Sequence, residues 1–215
     1  MRSSLLLLLI PLAALSSRSW AADRVVGLVE IPALASGNAG VPVGPVALFA
    51  EPDLEAEVAV VARNWAELES REHGYEEASA TVYDRADNEG GGFWYKVRYV
   101  GGGSPIFAWL SQADAEQYRP IHSLILKRGL TYLTDAWDLQ LYESPDLGSA
   151  KRSIGGRGDV SVIDVEEHGG QTWYLVVLVS GNVCTGGVTK IRDTGWIPAY
   201  APDGRLNVGW SSRGC

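Results

Sequence analysis

Two cysteines, three histidines and a scatter of acids are the side chains of this 215-residue chain that could support covalent, proton-transfer or metal chemistry. Cys184 and His168 make the one nucleophile–base pairing worth naming, a thiolate route to a small hydrolase. Its rival is a disulfide between Cys184 and Cys215, an even count that would close a loop of about 32 residues and contribute roughly 3–4 kcal/mol. A disulfide removes the thiol, and we expect the disulfide. His73, His122 and His168 lack cysteine or aspartate partners at metal-ligand spacing, so no metal site is expected. Asp84, Asp87, Asn88 and Glu89 cluster, but without the alternate spacing and distal glutamate of a calcium loop; they read as a solvated acidic loop. The glycine-rich stretch 153–158 has neither a nucleophile elbow nor a phosphate-loop lysine, and Arg157-Gly158-Asp159 reads as a hairpin turn. The expectation is a protein without catalysis and without a cofactor.

The elements that must hold these side chains announce themselves by repetition. Trp94-Tyr95-Lys96-Val97 returns as Trp173-Tyr174-Leu175-Val176. Before it, the nine-residue run from Val46 to Leu54 returns as the run from Leu139 to Leu147. After it, Phe107-Ala108-Trp109-Leu110 is matched by Gly195-Trp196-Ile197-Pro198. Three blocks in one order are a tandem duplication. From Leu54 to Trp94 is 40 residues, against 26 from Leu147 to Trp173, so the first copy carries 14 extra residues before its Trp-Tyr strand. The second carries eight extra afterwards, around 182–189, including Cys184. Such insertions belong in surface loops, which tolerate length change and often carry function. The boundary falls near Pro120, giving copies at 22–119 and 120–215.

Short strands separated by Gly- and Pro-bearing turns predict an all-β protein. Strands are expected at 25–31, 46–50, 57–62, 65–69 and near 80–83 in the first copy. In the second they are expected at 121–127, 139–142, 159–165, 173–179, 195–199 and 206–210, with 121–127 standing where 25–31 stands in the first. A helical turn is expected at 112–116.

Residues 1–21 have a basic start, a short leucine-rich run and a small-residue exit, which read as a secretory signal peptide rather than a membrane span. The chain is expected to be exported, periplasmic or secreted. Its formal charge is −8, and removing the signal takes away two arginines and no acid. That excess of acid argues against nucleic acid and anionic lipid as partners.

The blocks Leu139-Gln140-Leu141-Tyr142-Glu143-Ser144-Pro145, Trp173-Tyr174-Leu175-Val176 and Thr194-Gly195-Trp196-Ile197 resemble bacterial Src-homology-3 domains. The first copy departs from the pattern at Phe107-Ala108-Trp109-Leu110, which lacks the glycine before tryptophan. Phe49 and Tyr142 stand where the family has arginine. The resemblance implies two tandem five-stranded Src-homology-3-like β-barrels and a non-catalytic binding module of the cell envelope, recognising peptidoglycan or an envelope protein through aromatic grooves or insertion loops. It also implies a groove lined by Tyr142, Trp173, Pro198 and Tyr200, with Phe49 and Trp94 as the first copy's counterparts. The same rings could instead complete a small core. An inhibitor or immunity protein capping a partner enzyme is the alternative function.

One stretch constrains the relation of the two copies. Leu175 and Val177 replace Lys96 and Arg98, while Tyr174, Val176 and Leu178 make the opposite face apolar as well. A strand apolar on both faces is expected to be buried on both. The cover could be the first copy, the C-terminal tail or a second molecule. An intramolecular cover predicts one fixed two-lobed body.

Overall fold

Why one strand must serve two cores emerges from the sheets themselves. The computed structural model describes residues 23–34, 44–74, 77–88, 90–128, 131–180 and 190–211. The first lobe holds β1 (Gly27–Glu30), β2 (Val46–Phe49), β3 (Val58–Ala62), β4 (Ser70–Gly74), β5 (Glu77–Asp87), β6 (Phe93–Tyr99), β7 (Ile106–Ser111) and β8 (Glu116–Pro120). The only α-helix among the described residues, α1 (Ile121–Leu126), follows. The second lobe holds β9 (Thr131–Leu133), β10 (Gln140–Tyr142), β11 (Lys151–Ser153), β12 (Asp159–His168), β13 (Gln171–Ser180), β14 (Lys190–Pro198) and β15 (Val208–Trp210).

The protein is all-β in two antiparallel sheets. Their orders are β3-β2-β7-β6-β5-β1-β8 and β11-β10-β14-β13-β12-β9-β15. Taken from the same end, the two agree strand for strand. The three repeated blocks fall on β2 and β10, β6 and β13, and β7 and β14, so repetition in sequence is repetition in topology. Only β4 has no counterpart. It pairs with β5, so the first copy's extra residues add an edge strand to a hairpin.

Three local expectations are corrected. Residues 121–127 are helical at Ile121–Leu126, and the strand equivalent to β1 is β9 instead. The run fits either periodicity, but Ile121, Leu124 and Ile125 are all buried, and i, i+3, i+4 spacing puts them on one helical face. Residues 65–69 open as a 3₁₀ turn over Trp65–Glu67, because Asn64 Oδ1 accepts the Ala66 N–H at 3.0 Å. The polar stretch after Ser70 holds two strands, β4 and the 11-residue β5, rather than one short one. The expected turn at 112–116 is a 3₁₀ turn over Gln112–Asp114, capped by Ser111 Oγ.

Packing joins the lobes by a route different from the one expected. The first core contains Val29, Ile31, Leu48, Val97 and Leu110, all from the first lobe. The second is built on Leu141, Tyr174, Val176, Leu178 and Ile197, and also takes in Val25 and Leu28 of the first copy with Ile121, Leu124 and Ile125 of α1. Adjacent residues of β1 therefore face different cores: Leu28 the second, Val29 the first. Doubly apolar β1 is the strand buried on both sides. Leu175 and Val177 are half-buried and belong to neither core, so the expected cover over them is not what unites the lobes. Polar ties seal the same junction. Tyr200 Oη donates to Val25 O at 2.7 Å, and Trp210 Nε1 donates to Glu72 O at 3.2 Å.

Candidate functional site

The two copies place their signature aromatics identically. Phe49 meets Trp94 edge-on with centroids 5.5 Å apart, and Tyr142 meets Trp173 edge-on at 5.3 Å. Strand register builds each pair. Phe49 lies opposite Trp109 as Tyr142 lies opposite Trp196, while Trp173 lies opposite Pro198. Both tryptophans are buried, each only 1% exposed. The expected grooves are thus largely closed by the rings' own packing. Beside Trp173 there remains a hollow of about 120 Å³, walled by the Pro145–Leu147 turn and the His168–Gly169 turn. Trp173 Nε1 is buried there without a hydrogen-bond partner among the described residues.

Tyr200 is not part of that group. Its ring lies at the lobe junction, 5.8 Å edge-on from His122, with its hydroxyl spent on Val25 O. His122 Nδ1 sits 2.6 Å from Tyr174 Oη. Burial lowers the His122 pKa against the partial opposition of Glu167, and burial pushes the Tyr174 phenol well up. A protonated phenol and a neutral imidazole therefore share this hydrogen bond. The distinction between Tyr142 and Tyr200 had no sequence signal, since it depends on which lobe each ring meets.

The larger concavity lies between the lobes. It is a cleft of about 460 Å³ with Glu69, Arg71, Tyr83 and Arg98 on one wall and Tyr132, Asp135, Asp203 and Arg205 on the other. Five of its seven charged side chains pair with one another. Arg98 Nη1 reaches Glu69 Oε2 at 3.3 Å, while Arg205 reaches Asp203 at 2.7 Å and Asp135 at 3.3 Å. Burial, reinforced by Glu69, raises the Tyr83 phenol far enough to keep it protonated at any physiological pH. Arg71 lies over the Trp210 ring at 5.7 Å. Sequence reasoning missed this site because its walls come from segments more than 30 residues apart, neither of which bears a motif.

The remaining polar groups divide clearly. His73 Nδ1 lies 2.7 Å from Ser79 Oγ, and its Nε2 lies 3.3 Å from Glu30, which also holds Arg119 at 2.6 Å. This order of acid, imidazole and hydroxyl resembles a nucleophilic triad on paper. Ser79 is fully buried, however, so the network ties β1, β4, β5 and β8 together rather than meeting a substrate. Arg157 donates to the carbonyls of Thr134 and Asp135, which gives the Arg157-Gly158-Asp159 segment a structural role. Asp84 and Asp87 are exposed on β5, and Glu89 lies outside the described residues. Among the described residues no three metal-ligating side chains converge, and no helix is long and apolar enough to cross a membrane. Cys184 and Cys215, with their expected disulfide, lie outside the described residues, as does most of the second copy's insertion. Comparison with family models, curated proteins and solved structures finds no match.

Proposed function

We propose that this chain is an exported binding module of the cell envelope, built from two Src-homology-3-like barrels fused into one body. The observation that carries the reading is the strand order written twice. In each copy five neighbouring strands, β7-β6-β5-β1-β8 and β14-β13-β12-β9-β15, fit the small barrel that the sequence resemblance implies, and a short hairpin flanks them. The functional surface is then concave and aromatic-bearing rather than nucleophilic, which suits recognition of peptidoglycan or an envelope protein.

Retention of the processed protein on purified peptidoglycan, compared with retention by an envelope protein extract, tests the reading. Saturable capture by one of them supports it and selects the ligand. Failure of both to retain the protein removes the envelope role.

A further inference from the structure

We infer that the cleft between the lobes is a binding site for an uncharged saccharide. This rests on the reading of the chain as a binding module and adds to it a place and a chemistry. Ligand sites favour junctions between domains, and about 460 Å³ lies within the roughly 300–1,000 Å³ that such sites span.

The electrostatics select the ligand. The cleft is lined by three arginines and four carboxylates, so its formal charges nearly cancel. Glu69 with Arg98, and Arg205 with Asp135 and Asp203, already satisfy one another's charge. A charged ligand would compete with these partly exposed pairs for little net gain, and the guanidinium without a carboxylate, Arg71, is already stacked on Trp210. A hydroxyl avoids that competition. It donates to a carboxylate oxygen while accepting from a guanidinium, and each paired group retains unused oxygens or N–H groups for that purpose. Tyr83, held protonated between Glu69 and Arg98, adds a further hydroxyl.

Tyr132 supplies the apolar half. It is 45% exposed at the centre of β9, and its far edge lies over Gly209 on β15. A Cβ at Gly209 would stand 2.6 Å from Tyr132 Cζ, so only glycine lets the ring settle there. An aromatic face next to pre-paired planar polar groups matches a pyranose, which has a C–H face and a rim of hydroxyls.

The test is an NMR titration of the processed protein with N-acetylated chitooligosaccharide as the neutral probe. De-acetylated (cationic) and uronic-acid (anionic) oligosaccharides and an acidic peptide run alongside. The expected result is saturable binding of the neutral probe, with shifts centred on Tyr132, Gly209 and Arg205. Raising salt from about 0.05 to about 0.5 M should leave affinity unchanged, because no net charge is screened. Tyr132→Ala should weaken binding more than about tenfold. The parent's shift map locates the site even should that variant unfold. Absence of saturable binding, shifts elsewhere, preference for a charged probe, or a folded Tyr132→Ala that binds like the parent would each overturn the assignment. If envelope material retains Tyr132→Ala as well as it retains the parent, the binding-module reading stands and this site falls. If the probe binds the cleft but no envelope fraction retains the protein, the site stands and the envelope role falls.

Discussion

The outer faces of β6 and β13 occupy equivalent places in the two lobes and solve the same problem differently. In the first lobe Lys96 lies 5.2 Å over Phe107 and 5.9 Å over Trp109, and Arg98 lies 5.7 Å over Phe107. Aliphatic stems cover the rings while the charges stay in water. In the second lobe Leu175 and Val177 take those positions, with Trp196 opposite Leu175, and the face is half-buried without cations. The cores differ in the opposite sense. The first draws only on its own lobe, whereas the second takes in Val25 and Leu28 from the first copy. The two copies share a topology, yet the second core includes side chains of the first copy.

The largest expected effects fall on the equivalent tryptophans. Trp94→Ala and Trp173→Ala should each cost about 3–5 kcal/mol in denaturant unfolding, because each removes a buried ring. An unchanged transition for Trp173→Ala would show that its ring is available to ligands after all, and would break the equivalence. Ile125→Ala should cost about 2–5 kcal/mol although it lies in neither sheet, since it closes the second core.

A smaller effect separates the lobes by pH. The folded pKa of His122 lies below its unfolded value near 6.5, so the unfolded chain binds more protons between the two. The associated stability is present above about pH 6.5 and is lost as pH falls through the folded pKa. Thermal melts of the parent and of His122→Phe across mildly acidic pH should differ in slope, with the variant flatter. Tyr174→Phe, which removes the hydroxyl bonded to His122, should cost about 0.5–1.5 kcal/mol. Smallest of all should be Leu175→Lys combined with Val177→Arg, which copies the first lobe's cations onto a half-exposed face. Its melting temperature should stay near the parent's, and a large drop would mean that something covers that face.

How much of this was legible depends on whether the signal was local. The repeated blocks carried the all-β class, the duplication and the positions of β2, β6, β7 and their counterparts, because alternation and turn chemistry are written residue by residue. The β4 strand was hidden by its polar composition, Ser70-Arg71-Glu72-His73-Gly74, whose buried His73 finds its partner Ser79 only across a hairpin. The helix α1 was misread because its apolar residues fit both periods and tertiary burial chose between them. Double apolarity points to burial on both faces, but the strand so buried is β1 and not β13, and nothing local separates their patterns. The cleft left no trace, except that Gly209 interrupts an otherwise apolar strand beside Trp210.

The shared core is tested most directly by Leu28→Ala and Val29→Ala, neighbours on β1 that face different lobes. Amide hydrogen exchange on the intact protein reads each sheet separately. Leu28→Ala should accelerate exchange chiefly in β9, β12 and β13, and Val29→Ala chiefly in β5, β6 and β7. If both variants loosen the first sheet alone and leave β12 and β13 protected as in the parent, the second lobe has a core of its own and the account of a borrowed one is wrong.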